Sequence, residues 1–171
     1  MRKFLALAAI AALQLFGAAM ADETQTGASV KIDGSKGGVF AAGGNVEITG
    51  EVSSGLRPMT GVLALGGSVT VSATIDGSLV AAGGDVTFTG SANEFIGSGG
   101  NVTFAGSVEE EAMIAGGNLT VTPDAVIGGT LKMAGGALDV SGKMKEGAEI
   151  AGASVRFNGE VTGDLTIDAE E

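Results

Sequence analysis

The pair Gly-Gly returns along this chain at Gly43-Gly44, Gly66-Gly67, Gly83-Gly84, Gly99-Gly100, Gly116-Gly117 and Gly135-Gly136, with Gly152-Ala153 as a degenerate seventh copy. The steps between copies are 23, 17, 16, 17, 19 and 17 residues. Written out, the copies read AAGGNVEITG, ALGGSVTVSA, AAGGDVTFTG, GSGGNVTFAG, IAGGNLTVTP, MAGGALDVSG and IAGASVRFNG. A unit of about seventeen residues cannot bury an apolar face alone, so its copies must stack on one another to make a continuous core.

Counting from the first Gly of each pair gives the shape of one unit. The residue three places on is Val46, Val69, Val86, Val102, Leu119, Leu138 or Val155, and the residue five places on is Ile48, Val71, Phe88, Phe104, Val121, Val140 or Phe157. Between them stand Glu47, Thr70, Thr87, Thr103, Thr120, Asp139 and Arg156, an in, out, in alternation with the period of a strand. A Gly or Pro follows in most copies, at Gly50, Gly90, Gly106, Pro123, Gly142 and Gly159, and marks the next corner. Before each pair, apolar or small residues at the fourth and second preceding places compensate in size: Phe95 with Gly97, Leu79 with Ala81, Ala112 with Ile114, Ala148 with Ile150. Complementary volumes of this kind suit two layers of one filled core. A third apolar segment follows the later corner at Val52, Ile75, Ala92, Val108, Ala125, Met144 and Val161. The pattern predicts an all-β, single-stranded, three-sided β-solenoid of about seven turns. Helical hairpin repeats are excluded, because Gly pairs and β-branched alternation are poor helix material. A Ca²⁺-binding nonapeptide roll is excluded too, since Val or Leu stands where its pattern needs Gly and Asp.

Composition narrows the chemistry. Gly accounts for 31 residues, and His, Cys, Trp and Tyr are absent. The commonest general base, the thiolate nucleophile and the usual stacking platforms for bases and sugars are therefore missing. No Ser-His, Cys-His or metal-ligand constellation is available, and the carboxylates are scattered over different turns. We expect no catalytic residue, no metal site and no cofactor. With no Cys, stability must come from packing and backbone hydrogen bonds.

The first residues have the order of a secretory signal: Arg2 and Lys3, an apolar run from Phe4 to Phe16, then Ala19, Met20 and Ala21 before Asp22 and Glu23. This reading places cleavage after Ala21 and the mature chain in the periplasm or outside the cell. The apolar run is shorter than the roughly 20 residues that span a bilayer, and no later segment matches that length, so no transmembrane helix is expected in the mature chain. The formal net charge is −11, and removal of Arg2 and Lys3 makes it more acidic, which disfavours nucleic acid as a partner. The expected organisation is a signal peptide over 1–21, a polar segment with a first strand over 22–38, the solenoid over 39–168 and an acidic tail over 169–171.

The AAGGNVEITG and GSGGNVTFAG units, over roughly Val30 to Asp168, resemble the bactofilins, the polymer-forming cytoskeletal proteins, and their exported relatives. The resemblance implies a right-handed three-sided β-helix. It also implies polymers that form end to end through apolar terminal turns, without nucleotide. The export signal departs from typical members, which act inside the cell, so their partners do not carry over.

Three surface features stand out. Thr70, Thr87, Thr103 and Thr120 fall at one outward place in four consecutive turns, with Ser72, Thr89 and Thr122 two residues on in three of them. Such a ladder is either an ordinary exposed β surface or, as a flat hydroxyl array, an ice- or polysaccharide-binding face. Phe40, Leu63, Val80, Ile96 and Met113 fall three places before their Gly pairs, followed by Lys132 and Glu149, and are expected to point outward, either as an apolar stripe for lateral contacts or as a strip covered by residues 22–38 or by the long loop. At the end of the repeat, Val155, Phe157, Val161, Leu165 and Ile167 offer apolar inward residues with no visible cap. The extra residues around Ser53 to Gly61 and the acidic run Glu109, Glu110 and Glu111 read as a tolerated loop and a solvated corner. The expected function is structural: an exported, non-enzymatic rod that forms homo-oligomers or polymers and scaffolds the cell envelope.

Overall fold

A computed structural model describes residues 23–53 and 61–169. The proposed signal peptide, Asp22 and most of the extra loop lie outside the described residues. Among them the chain contains strands and no helix: β1 (Glu23–Lys36), β2 (Val39–Ser53), β3 (Gly61–Val71), β4 (Thr74–Ile75), β5 (Ser78–Phe88), β6 (Ser91–Ala92), β7 (Glu94–Phe104), β8 (Ser107–Val108), β9 (Ala112–Val121), β10 (Val126–Ile127), β11 (Thr130–Val140), β12 (Lys143–Met144), β13 (Gly147–Phe157), β14 (Glu160–Val161) and β15 (Asp164–Ala169). From β3 to β14 each turn is one long strand and one two-residue strand. All pairings are parallel: the long strands run β1-β2-β3-β5-β7-β9-β11-β13-β15 and the short ones β4-β6-β8-β10-β12-β14, with β4 paired to the C-terminal part of β2, Glu51↔Thr74 and Val52↔Ile75. The molecule is a β-solenoid of about eight turns with roughly 17 residues per turn. Stacked turns satisfy one another's backbone groups, which is how the described strands pair their N–H and C=O groups without helices among them.

The register follows the Gly pairs. Gly43, Gly66, Gly83, Gly99, Gly116, Gly135 and Gly152 lie in one column, and Gly27 extends it by one turn. Within β7 the buried residues are Phe95, Gly97, Val102 and Phe104. Two of these intervals are two residues, whereas the step across the Gly pair is five, so the alternation breaks there and the strand turns a corner. At that corner a Cβ on Gly99 would sit 2.7 Å from the Gly83 carbonyl oxygen of the preceding turn. The pair is required by this close approach of stacked backbones. Positive φ angles fall elsewhere, at Gly34, Gly37, Gly50 and Gly77.

Twelve of the fourteen residues expected at the two inward places after the Gly pair are buried; Val155 and Phe157, in the last full turn, are half-buried and pack against the core. The size compensation before the pair is also observed. A Cβ on Gly97 would lie 2.6 Å from the Phe95 ring. That ring stacks on Phe88 at 5.0 Å between centroids and 9° between planes, and both rings meet Phe104 at 5.2 and 5.4 Å with tilts of 48° and 45°. Phe88 and Phe104 share a column, but the parallel stack is between Phe88 and Phe95, which face each other from two sides of the coil.

Two details differ from the sequence reading. The first turn has no Gly pair, yet β1 pairs with β2 along nearly its whole length, from Glu23↔Val39 to Lys36↔Ser53. In the third apolar column the residue between Val108 and Met144 is Ile127, not Ala125. The 19-residue step at this turn accommodates the Pro123-Asp124 corner before β10, and Ala125 is buried beside it.

Candidate functional site

Three surfaces collect the residues singled out by the sequence. The first is the column Thr24, Phe40, Leu63, Val80, Ile96, Met113, Lys132, Glu149, Thr166, one residue per turn in unbroken register. Its five apolar members are consecutive, but none is exposed. Leu63 and Val80 are 2 % and 6 % exposed, although neither belongs to the core cluster, and Phe40, Ile96 and Met113 are half-buried. Rungs about 4.8 Å apart shield one another. The apolar run ends where Lys132 pairs with Glu111.

The second surface is polar and lies beyond the Gly corner. The four threonines sit in one column, flanked by ion pairs at both ends: Lys31, Glu47, Thr70, Thr87, Thr103, Thr120, Asp139, Arg156. Lys31 Nζ is 3.1 Å from Glu47 Oε1, and Arg156 Nη1 is 4.0 Å from Asp139 Oδ2. Both pairs are solvent-exposed and contribute at most about 1 kcal/mol each. The adjacent column, not singled out in the sequence, forms an amide ladder. Asn101 Nδ2 donates to Asp85 Oδ1 at 2.7 Å, and Asn118 Nδ2 donates to Asn101 Oδ1 at 2.9 Å. Its signal was the polar residue directly after five of the six Gly pairs of the repeat, Asn45, Ser68, Asp85, Asn101 and Asn118, before Ala137 ends the run. Two residues beyond the threonine column, the Ser72 and Thr89 hydroxyls bond each other at 2.8 Å. Ala105 brings no hydroxyl to continue that line, and in the next turn Thr122 Oγ1 is buried without a partner. Parts of the two columns beside the threonines therefore spend their hydrogen bonds on themselves, as a surface that stabilises stacked turns does.

The third surface is the C-terminal end. β15 pairs with β13 on one side, and no other described strand pairs with it. Leu165 and Ile167 continue the inward columns of Ala148 and Ile150. They are 44 % and 42 % exposed, the two large apolar side chains that are exposed among the described residues. Val155, Phe157 and Val161, from the turn before, are half-buried against the core beneath this end.

The opposite end is different. In β1 the inward columns before the corner hold Glu23 and Gln25, opposite Val39 and Ala41, and Gln25 Nε2 donates to Glu23 Oε1 at 2.8 Å. After the corner they hold Val30 and Ile32, which are 4 % and 1 % exposed. One end of the described rod is polar or buried, and the other presents an apolar edge.

Among the described residues, no group of three or more His, Cys, Asp or Glu side chains is placed to hold a metal ion, and no helix is long and apolar enough to cross a membrane. No protein-family model matches the chain, and no curated protein or solved structure matches it.

Proposed function

We propose that this protein is a non-enzymatic, exported structural rod that associates with copies of itself end to end and scaffolds the cell envelope. The observation that carries the reading is the apolar edge of β15, whose Leu165 and Ile167 stand exposed in columns that are buried everywhere between the two ends of the rod. An edge strand with free backbone groups and apolar side chains is a template for another strand. Export places the rod in the periplasm or outside the cell, and the resemblance of its repeat to the bactofilin units agrees with assembly through terminal turns. The acidic surface opposes contact between copies at low ionic strength, so association strengthens as salt screens the charge of the exported chain, 7 − 20 = −13 without Arg2 and Lys3.

Light scattering of the purified protein tests this reading. The expected result is a mass above that of one chain, rising with concentration and salt. Replacing Phe157 with Arg is expected to weaken association by on the order of tenfold or more, because it puts a charge under the contacting end. A protein that stays strictly monomeric at high concentration and high salt refutes it.

A second reading rests on the in-register column Thr70, Thr87, Thr103 and Thr120, which gives evenly spaced hydroxyls on one face. Under it the protein is a ligand-binding solenoid for ice or polysaccharide. Thermal hysteresis, or retention on a polysaccharide column that is lost when Thr87 and Thr103 become Val, favours this reading over the first.

A further inference from the structure

We propose that Asn158-Gly159 is a site of spontaneous modification, at which Asn158 converts through a cyclic imide to aspartate and isoaspartate, and that the isoaspartate form loosens the corner between β13 and β14. This chemistry does not depend on self-association.

The fold itself creates the dipeptide. Ser72, Thr89, Ala105, Thr122, Ser141 and Asn158 hold one place in consecutive turns, each donating its backbone N–H to a carbonyl of the turn before. The corner follows at once, and Gly90, Gly106, Gly142 and Gly159 recur there. A Cβ on Gly159 would lie 2.5 Å from the Gly142 carbonyl oxygen, so the close approach of stacked backbones requires Gly at that place. In this column only Asn158 brings an amide in front of it.

Asn158 is also poised to react. It is exposed, lies between β13 and β14, and its side chain bonds no described residue. The backbone on either side is held: Asn158 N–H donates to the Val140 carbonyl at 2.7 Å, and Glu160 N–H donates to the Gly142 carbonyl at 3.0 Å. The Gly159 N–H between them has no partner among the described residues, which leaves its nitrogen open to the Asn158 side chain. The other asparagines are followed by bulkier residues that crowd such an attack, Val46, Glu94, Val102 and Leu119. Two of them, Asn101 and Asn118, are tied into the amide ladder as well. Asp33-Gly34 and Asp76-Gly77 keep the Gly but present a carboxylate, whose negative charge repels a nucleophile.

In the first step hydroxide removes the Gly159 amide proton and the nitrogen attacks Asn158 Cγ. The new N–Cγ bond closes a succinimide ring, and Nδ2 takes up a proton and leaves as ammonia. Water then opens the ring at either carbonyl. Breaking N–Cγ gives aspartate with the original backbone, whereas breaking the original peptide bond carries the main chain through Cγ and gives isoaspartate, one methylene longer. The longer chain cannot keep both the Asn158 and the Glu160 bonds to the preceding turn in register.

Peptide mapping of the folded protein, incubated at a series of pH values, tests the reaction. Asn158 is expected to lose its amide on the order of tenfold or more faster than Asn101 or Asn118, with a rate that rises with pH as hydroxide does. Asn158→Ser, which restores the residue type of the preceding turn, is expected to show no conversion at this place. Equal rates at the three asparagines, or a rate at Asn158 independent of pH, overturn the proposal. Amide exchange at Glu160 tests the consequence. Aged protein is expected to show a population, equal to its isoaspartate content, that exchanges on the order of tenfold or more faster, while Asn158→Asp exchanges like the fresh parent. Aged protein that contains isoaspartate but exchanges like fresh protein overturns the loosening, and so does an Asn158→Asp variant that exchanges as fast as the aged population, since charge rather than backbone length would then be the cause.

Discussion

Phe88→Ala lowers the unfolding free energy by about 3–5 kcal/mol, among the largest losses expected from any single side chain in this molecule. Phe88 has no solvent exposure, stacks on Phe95 at 5.0 Å and tilts against Phe104 at 5.4 Å. Removing the ring takes away its own transfer energy and the partner of two others, and the neighbours cannot collapse into the space because their positions are set by ladders on either side. The effect is amplified by position. In a solenoid each turn is supported by the turns next to it, so a defect in the middle weakens both halves. For a chain of this size the fall in Tm is on the order of 10 °C. Leu165→Ala is the control, since a side chain that is 44 % exposed gives up little on truncation. Thermal melting followed by circular dichroism checks both, and a Phe88→Ala protein that melts with its parent would contradict the register.

Gly99→Ala costs about 1–3 kcal/mol, and Gly100→Ala, one residue along, is close to neutral. A Cβ at Gly99 would meet three backbone oxygens, those of Gly83 at 2.7 Å, Gly84 at 3.3 Å and Asn101 at 3.4 Å. None can retreat without opening the hydrogen-bonded stack of turns. At Gly100 the one close oxygen is that of Gly84 at 3.0 Å, which a shift of a few tenths of an ångström relieves. The added Cβ also lowers the entropy of the unfolded chain, an effect of about 0.4–1 kcal/mol in the opposite sense. The sequence contains the same experiment, for the degenerate pair Gly152-Ala153 gives up the second Gly and keeps the first. Equal melting temperatures for the two variants would contradict the account of why the pair exists.

Much of the fold was legible because one symbol, the Gly pair, sets the phase of every turn. Counting from it located the inward positions after the corner, the outward threonine column and the outward column from Phe40 to Glu149. Counting failed where a turn departs from the common length. The added residues at Pro123 and Asp124 moved the third apolar column from Ala125 to Ile127, a shift that residue type does not reveal because both are apolar. The first turn was harder to see because only half of its pattern is kept: Gly27-Ala28 is a degenerate pair like Gly152-Ala153 and is followed by Val30 and Ile32 at the two inward places, but the inward columns before the corner carry Glu23 and Gln25.

The candidate surfaces were legible as columns and less so as surfaces. Periodicity places Leu63 and Val80 in a column outside the core, but it does not report that they are buried there. The difference between the two ends was legible only in part. The apolar residues Leu165 and Ile167 of the last described strand are visible in the sequence, whereas the near-complete burial of Val30 and Ile32 is not.

Hydrogen exchange at β15, followed as protein concentration is raised, tests the central claim most directly. In a lone rod the outer edge of β15 is paired with nothing and its amides exchange rapidly, near the low-stability limit typical of fraying termini. The account predicts that amides of Asp164–Ala169 become protected as concentration and salt increase, while those of β5 and β7 stay unchanged. Exchange at β15 that is fast and independent of concentration would contradict it, as would protection that appears at β1 instead.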